Sequence, residues 1–63
     1  MDWGSKVKEY REKYLFTQQE MADILKVGVA SVARWENGYC QPTTKVKRKI
    51  KYLLLDGGIK LED

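Results

Sequence analysis

The chain has 63 residues, 43% of them hydrophobic and 33% charged, with a net charge of +3, which is typical of one small globular domain over residues 1–63. It contains no histidine and one cysteine, Cys40, which excludes an internal disulfide and a structural zinc site and favours a reducing, cytoplasmic environment. The chain has no histidine that could act as a general base, so we expect no enzymatic activity and no cofactor. It also has no apolar run long enough to span a membrane, so we expect no membrane association.

The first predicted helix runs from Ser5 to Tyr14. Serine is a favoured N-cap because its hydroxyl accepts a hydrogen bond from one of the first, otherwise unpaired, backbone amides. Val7, Tyr10 and Tyr14 recur every three or four residues, which places them on one side of the helix. We therefore expect these three side chains to form its buried face.

The second predicted helix begins after Thr17. Thr17 and Glu20 have the spacing of a capping box, in which the hydroxyl accepts from the Glu20 amide and the carboxylate accepts from the Thr17 amide. Met21, Ile24 and Leu25 then follow at the spacing of one apolar stripe. The segment predicts a short amphipathic helix that buries this stripe.

The third predicted helix begins after Gly28, which is a tolerable N-cap. Val32, Trp35 and part of Glu36 share one face of this helix, and we expect that face to turn inward. The helix ends near Gly38, because glycine adopts at little cost the left-handed conformation that terminates helices.

The fourth predicted helix begins after Pro42, with Thr43 or Thr44 as its N-cap, and ends at Leu55 or Asp56. Two glycines follow the helix and are expected to terminate it. Its apolar stripe is formed by Val46, Ile50, Leu53 and Leu54.

Cations crowd the first half of this helix. Five of them fall within seven residues, namely Lys45, Lys47, Arg48, Lys49 and Lys51. The helix dipole is positive at the N-terminus, so each cation there costs about a few tenths of a kcal/mol. We expect the cluster to neutralise an anion; the alternative is a face that only increases solubility.

Residues 17–38 together predict two short capped helices joined by a tight turn. This is the layout of a helix-turn-helix, which presents its second helix to the major groove of DNA. With a helix on either side, the sequence predicts an all-α, compact four-helix domain, or a five-helix domain if the last residues add a helix. DNA binding is therefore the leading interpretation.

Two stretches of this motif are distinctive. They are Thr17–Ala22 and Ser31–Gly38, the second followed by Pro42. Together they resemble the Cro/phage-repressor, or lambda-repressor-like, helix-turn-helix family, and the similarity extends from about Val7 to Leu54. The resemblance implies sequence-specific binding of double-stranded DNA by a transcriptional repressor or regulator of phage, prophage or antitoxin type. It also implies a bacterial or phage-encoded protein that acts as a symmetric dimer on a palindromic operator.

The sequence departs from this family at two turns and at its end. Lys26 stands where the turn inside the motif often carries glycine, and Leu15 where the chain after helix 1 often carries glycine or asparagine. A side chain kept in the left-handed conformation there costs about 1 kcal/mol. Many relatives have a fifth helix in the dimer interface, whereas only two glycines and five residues follow helix 4 here. We therefore expect a weak homodimer assembled on DNA, with an interface drawn from Leu55, Ile59 and Leu61, and Trp3 beside them. The alternative is that these residues only cover the core of the monomer.

The resemblance places the base contacts on the first residues of helix 3 and one turn later. At the matching positions stand Gly28, Val29, Ala30, Ala33 and Arg34. Helical geometry independently turns Val29, Ala30 and Ala33 outward, and Arg34 can donate two hydrogen bonds to guanine O6 and N7. The alternatives are that the small residues only favour helix formation, that Arg34 is a solvated charge, or that this face docks a protein.

Phosphate contacts are expected around the motif. Gln18 opens helix 2, where free amides and the positive helix end favour an anion, and the family uses this glutamine for a phosphate. The alternative for Gln18 is a residue that merely favours the helix. On helix 4 we expect contacts from Lys45 and Arg48, which are spaced at i and i+3. Auxiliary contacts are expected from Tyr39, Thr43 and Thr44.

The resemblance also pairs Arg11 of helix 1 with Glu36 of helix 3. Such an ion pair would hold the recognition helix in place, and removal of one partner would leave a stranded charge. The alternative is two unrelated surface charges.

A protein-binding adaptor is the competing function. It would use the same fold to dock a regulator or a toxin instead of DNA. An adaptor without a phosphate-binding surface would show little salt-dependent binding to random duplex DNA, and this separates the two classes.

Overall fold

Four α-helices make up the computed structural model, which describes residues 2–59. They are α1 (Trp3–Lys13), α2 (Gln18–Leu25), α3 (Val29–Glu36) and α4 (Thr44–Asp56). The predicted all-α, four-helix class is confirmed, with no strand among the described residues. No described helix has the length and apolar character needed to cross a membrane.

The core lies where the four helices meet. Six large side chains are completely or almost completely buried there, namely Val7, Met21, Leu25, Val32, Ile50 and Leu54. Trp35 and Tyr10 are nearly as buried, at 5% and 7% exposure. The helical periods therefore predicted most of this core, because each of these residues lies on the apolar face of its helix.

Two of the predicted core positions are wrong. Tyr14 is 42% exposed, and it is the C-cap, one residue beyond the end of α1 at Lys13. It stacks instead against Phe16, with ring centroids 5.9 Å apart. Ile24 is 40% exposed, since α2 turns Met21 and its neighbour Ala22 into the core and leaves Ile24 at the edge.

The start of α1 also differs from the prediction. Asp2, not Ser5, is the N-cap, and its carboxylate accepts hydrogen bonds from the Gly4 amide at 3.1 Å and from the Ser5 hydroxyl at 2.7 Å. The hydrogen bond from Ser5 lowers the pKa of the Asp2 carboxyl below its usual value. Both residue types are good caps, so local propensity did not separate them.

The remaining helix starts confirm the sequence prediction. The capping box of α2 is complete, because the Thr17 amide donates to the Glu20 carboxylate at 2.9 Å and the Glu20 amide donates to the Thr17 hydroxyl at 3.1 Å. Gly28 is the N-cap of α3. Thr43 is the N-cap of α4, where its hydroxyl accepts from the Val46 amide.

The left-handed conformation is kept at both turns where the family often carries glycine. Leu15 and Lys26 each have a φ of 58°, and each carries a side chain in a conformation that favours glycine. Lys26 ends α2 as its C-cap. Leu15 is 87% exposed, so burial of its side chain does not offset the strain.

Replacing either residue by glycine should stabilise the domain. We expect Leu15→Gly and Lys26→Gly each to raise the free energy of unfolding by about 0.5–1 kcal/mol, since the left-handed conformation costs a side chain about that much. Denaturant unfolding followed by circular dichroism measures the change. Leu15→Ala and Lys26→Ala are the matched controls, because alanine keeps the β-carbon; an equal gain from alanine would show that backbone strain is not the cause.

Candidate nucleic-acid interface

One side of α3 is turned away from the core. Val32 and Trp35 are buried, which leaves the opposite side of the helix accessible. Of the five predicted base-contact residues, Val29, Ala30 and Arg34 are exposed on α3, Ala33 is half-buried, and the exposed Gly28 is the N-cap before the helix. This surface consists of small side chains with one long cationic side chain. The small side chains allow the surface or groove of a partner to approach the helix backbone closely.

The structure brings Arg11 and Glu36 together across 25 residues of sequence. The guanidinium donates through Nε to Oε2 at 2.9 Å and through Nη2 to Oε1 at 3.0 Å, a bidentate pair. The Glu36 side chain is only 4% exposed and the Arg11 side chain 17%. The hydrogen bonds from Arg11 to Glu36 raise the pKa of Arg11, so this cation stays charged. The pair joins α1 to the end of α3.

Arg11 and Glu36 each have one further contact. Arg11 Nη1 donates to the Phe16 carbonyl at 3.1 Å, in the segment that leads into α2. Gln18 Nε2 donates to Glu36 Oε1 at 3.3 Å. The Gln18 contact is a feature that the sequence did not predict, and no local spacing signals it, since 18 residues separate the partners.

The N-terminus of α2 opens next to this network. The Glu20 and Met21 amides have acceptors, because the Thr17 hydroxyl and the Thr17 carbonyl accept from them. The Gln18 and Gln19 amides lie at the open end of the helix, where the first amides have no intrahelical acceptor. Gln18 is half-buried, and its amide group lies at the same end.

The cations of α4 divide into two groups. Lys47 lies over the Trp3 ring, with Nζ 5.6 Å from the ring centroid, and Lys49 donates to the Leu25 carbonyl at 3.3 Å, at the C-terminus of α2. Both of these lysines stabilise helix contacts within the protein. Lys45, Arg48 and Lys51 are exposed. The sequence predicted Lys45 and Arg48 for phosphate binding but missed the intramolecular contacts of Lys47 and Lys49.

The auxiliary phosphate residues lie in the α3–α4 connection and at the start of α4. Tyr39 is 80% exposed and follows the left-handed Gly38, which comes after Asn37, the C-cap of α3. Thr43 and Thr44 are exposed at the start of α4, although the Thr43 hydroxyl already caps the helix. Thr43 and Thr44 adjoin Lys45 in sequence, so these two residues border the same end of α4.

A family model for helix-turn-helix proteins matches residues 7–50, well over half of the chain. The chain belongs to the helix-turn-helix family of the Cro and phage-repressor type. The matched range contains all of α2 and α3, so the family match and the exposed face of α3 fall on the same segment. Neither a curated protein nor a solved structure matches the chain. This helix-turn-helix chain is thus a DNA-binding regulator in general terms, from a family of non-enzymatic proteins.

Proposed function

We propose that this helix-turn-helix protein is a sequence-specific transcriptional repressor or regulator of phage, prophage or antitoxin type that inserts α3 into the major groove. The exposed face of α3 carries the proposal, because its small side chains allow a close approach to the bases. Val29 and Ala30 would contact thymine methyl groups, and Arg34 would donate to guanine. Repression would follow from occupation of a promoter in the cytoplasm of a bacterium.

Phosphate contacts would orient α3 on the duplex. Gln18 would bind a phosphate at the N-terminus of α2, where the open amides and the helix dipole favour an anion. Lys45 and Arg48 would bind phosphates from α4, with Tyr39 and the threonines that begin α4 as additional donors. The exposure of Lys45 and Arg48, in contrast to Lys47 and Lys49, supports this division.

Arg34 should determine the identity of one base pair. We expect Arg34→Ala to weaken binding to the preferred site by about 1–3 kcal/mol and to relax the preference at one guanine. Competition binding with a set of single-base variants of that site measures both effects. Arg34→Lys is the control, since lysine keeps the charge but lacks the planar pair of donors. Equal weakening on preferred and random DNA would assign Arg34 to phosphate binding.

Lys45 and Arg48 should determine the salt dependence. Each phosphate contact releases counterions, so Lys45→Ala and Arg48→Ala should each reduce the slope of log K against log salt concentration by about 1, on every duplex alike. Lys49→Met is the matched control and should leave the slope unchanged, because the Lys49 amino group donates to the Leu25 carbonyl within the protein. An unchanged slope in both alanine variants would assign the pair to solubility.

A weak homodimer assembled on DNA would complete the specificity, since one recognition helix contacts too few base pairs to define a site. Leu55, at 54% exposure, remains available for a dimer contact, and Tyr52 on the same helix is 72% exposed. The prediction for Ile59 is wrong, because at 5% exposure it packs into the monomer core. Trp3 also packs against that core, and Leu61 lies outside the described residues.

Selection of binding sites from random duplexes tests the function and the dimer together. We expect enrichment of a two-fold symmetric sequence with half-sites about ten base pairs apart. Enrichment of an asymmetric site that binds one copy would contradict the dimer. Absence of enrichment, together with weak and salt-insensitive binding, would contradict DNA recognition and favour the protein-binding adaptor.

A further inference from the structure

The two neighbouring glutamines at the start of α2 have different environments. Gln18 is half-buried, and its Nε2 donates to Glu36 Oε1 on α3 at 3.3 Å. Gln19 is exposed, and its Nε2 donates to Asp23 Oδ1, one turn later in the same helix, at 3.0 Å. Only the Gln18 side chain is therefore tied to the recognition helix.

The acceptor for Gln18 is itself held by hydrogen bonds. Arg11 binds both carboxylate oxygens of Glu36, and the Glu36 side chain is 4% exposed. A carboxylate repels the oxygen of a primary amide and attracts its NH₂ group. Glu36 thus selects the orientation of the Gln18 amide in which the nitrogen faces inward. That nitrogen carries a second hydrogen, and no described hydrogen bond uses it.

We propose that Glu36 is a positioning residue for phosphate binding by Gln18. The carboxylate holds the amide so that its second N–H donates to a DNA phosphate at the N-terminus of α2; without it, the amide rotates and can present its oxygen to the phosphate. The proposal rests on the DNA-binding function proposed above. Through the Glu36 side chain, the end of α3 would set the position of the phosphate contact at the start of α2.

Removal of the whole ion pair tests this without leaving a buried charge. Arg11→Met/Glu36→Met replaces the pair by apolar side chains of similar length, an exchange that proteins often tolerate, and removes the acceptor for Gln18. Gln18→Met removes the donor. We expect each variant to bind a random-sequence duplex at least about ten-fold more weakly than the wild type, as loss of one hydrogen bond to a charged group implies.

The two losses should not combine. The triple variant Arg11→Met/Glu36→Met/Gln18→Met should bind as Gln18→Met does, because the positioning residue has nothing left to position. Gln19→Met is the matched control and should bind as the wild type does. Fluorescence anisotropy at fixed salt gives the dissociation constants, and thermal unfolding establishes that each variant is folded at the temperature of the measurement.

Two outcomes overturn the proposal while leaving DNA binding intact. One is wild-type affinity in a folded Arg11→Met/Glu36→Met variant, and the other is a triple variant whose loss is the product of the separate losses. Should the methionine pair fail to fold, Glu36→Gln serves instead, since its one acceptor oxygen is shared between Arg11 and Gln18; its effect should vanish in the Gln18→Met background. Failure of the wild-type protein itself to bind duplex DNA would overturn the proposed function as well.

Discussion

Gly4→Ala is expected to destabilise the domain by about 3 kcal/mol, which is a large part of the stability of so small a protein. Gly4 is buried where α1 crosses the end of α3. A β-carbon on Gly4 would lie 2.6 Å from the Trp35 carbonyl carbon and closer still to its oxygen, whereas real β-carbons essentially never approach within 3.0 Å. Backbone atoms cannot rotate aside, so α1 would have to move away from α3.

Denaturant unfolding followed by circular dichroism measures this loss. Gly28→Ser is the matched control, because a β-carbon on Gly28 meets nothing within 4 Å and serine is a better N-cap than glycine. We expect the control to change the free energy of unfolding by less than about 0.5 kcal/mol. Wild-type stability in Gly4→Ala would show that α1 does not approach the Trp35 carbonyl so closely.

Arg11→Met alone should be the second most damaging change, with a loss of about 2–3 kcal/mol. The substitution leaves the Glu36 carboxylate almost completely buried without its cation, and it removes the donor to the Phe16 carbonyl. A stranded buried charge costs more than the intact pair contributes, because its desolvation is no longer offset.

The double variant separates that cost from simple loss of packing. Arg11→Met/Glu36→Met should recover most of the stability that Arg11→Met loses, since no charge remains buried. Equilibrium unfolding of the wild type, Arg11→Met, Glu36→Met and the double variant completes the thermodynamic cycle. Additive losses would mean that the two side chains are not energetically coupled, despite their bidentate geometry.

Local signals in the sequence predicted the helix-turn-helix well. The Thr17–Glu20 capping box, the Gly28 cap and the apolar stripe of α4 depend on residues three or four positions apart, and such interactions form in the same way wherever the helix packs. The family resemblance marked Lys26 as a turn position that often carries glycine, and it predicted the Arg11–Glu36 pair, which spacing alone could not have indicated.

The tertiary structure decided which residues serve the core and which remain available for a partner. Of the α4 cations, Lys47 lies over the Trp3 ring and Lys49 donates to the Leu25 carbonyl. Both contacts join residues of different helices, so they form only when the helices pack. The burial of Gly4 and Ile59 likewise depends on how α1 crosses α3 and how the chain turns after α4. Sequence by itself determined the four helices, the caps of α2, α3 and α4, and most of each apolar face, because these depend on neighbours within one turn. The contacts between helices were decided by packing, because they join residues that are distant in sequence, and no local period specifies that distance.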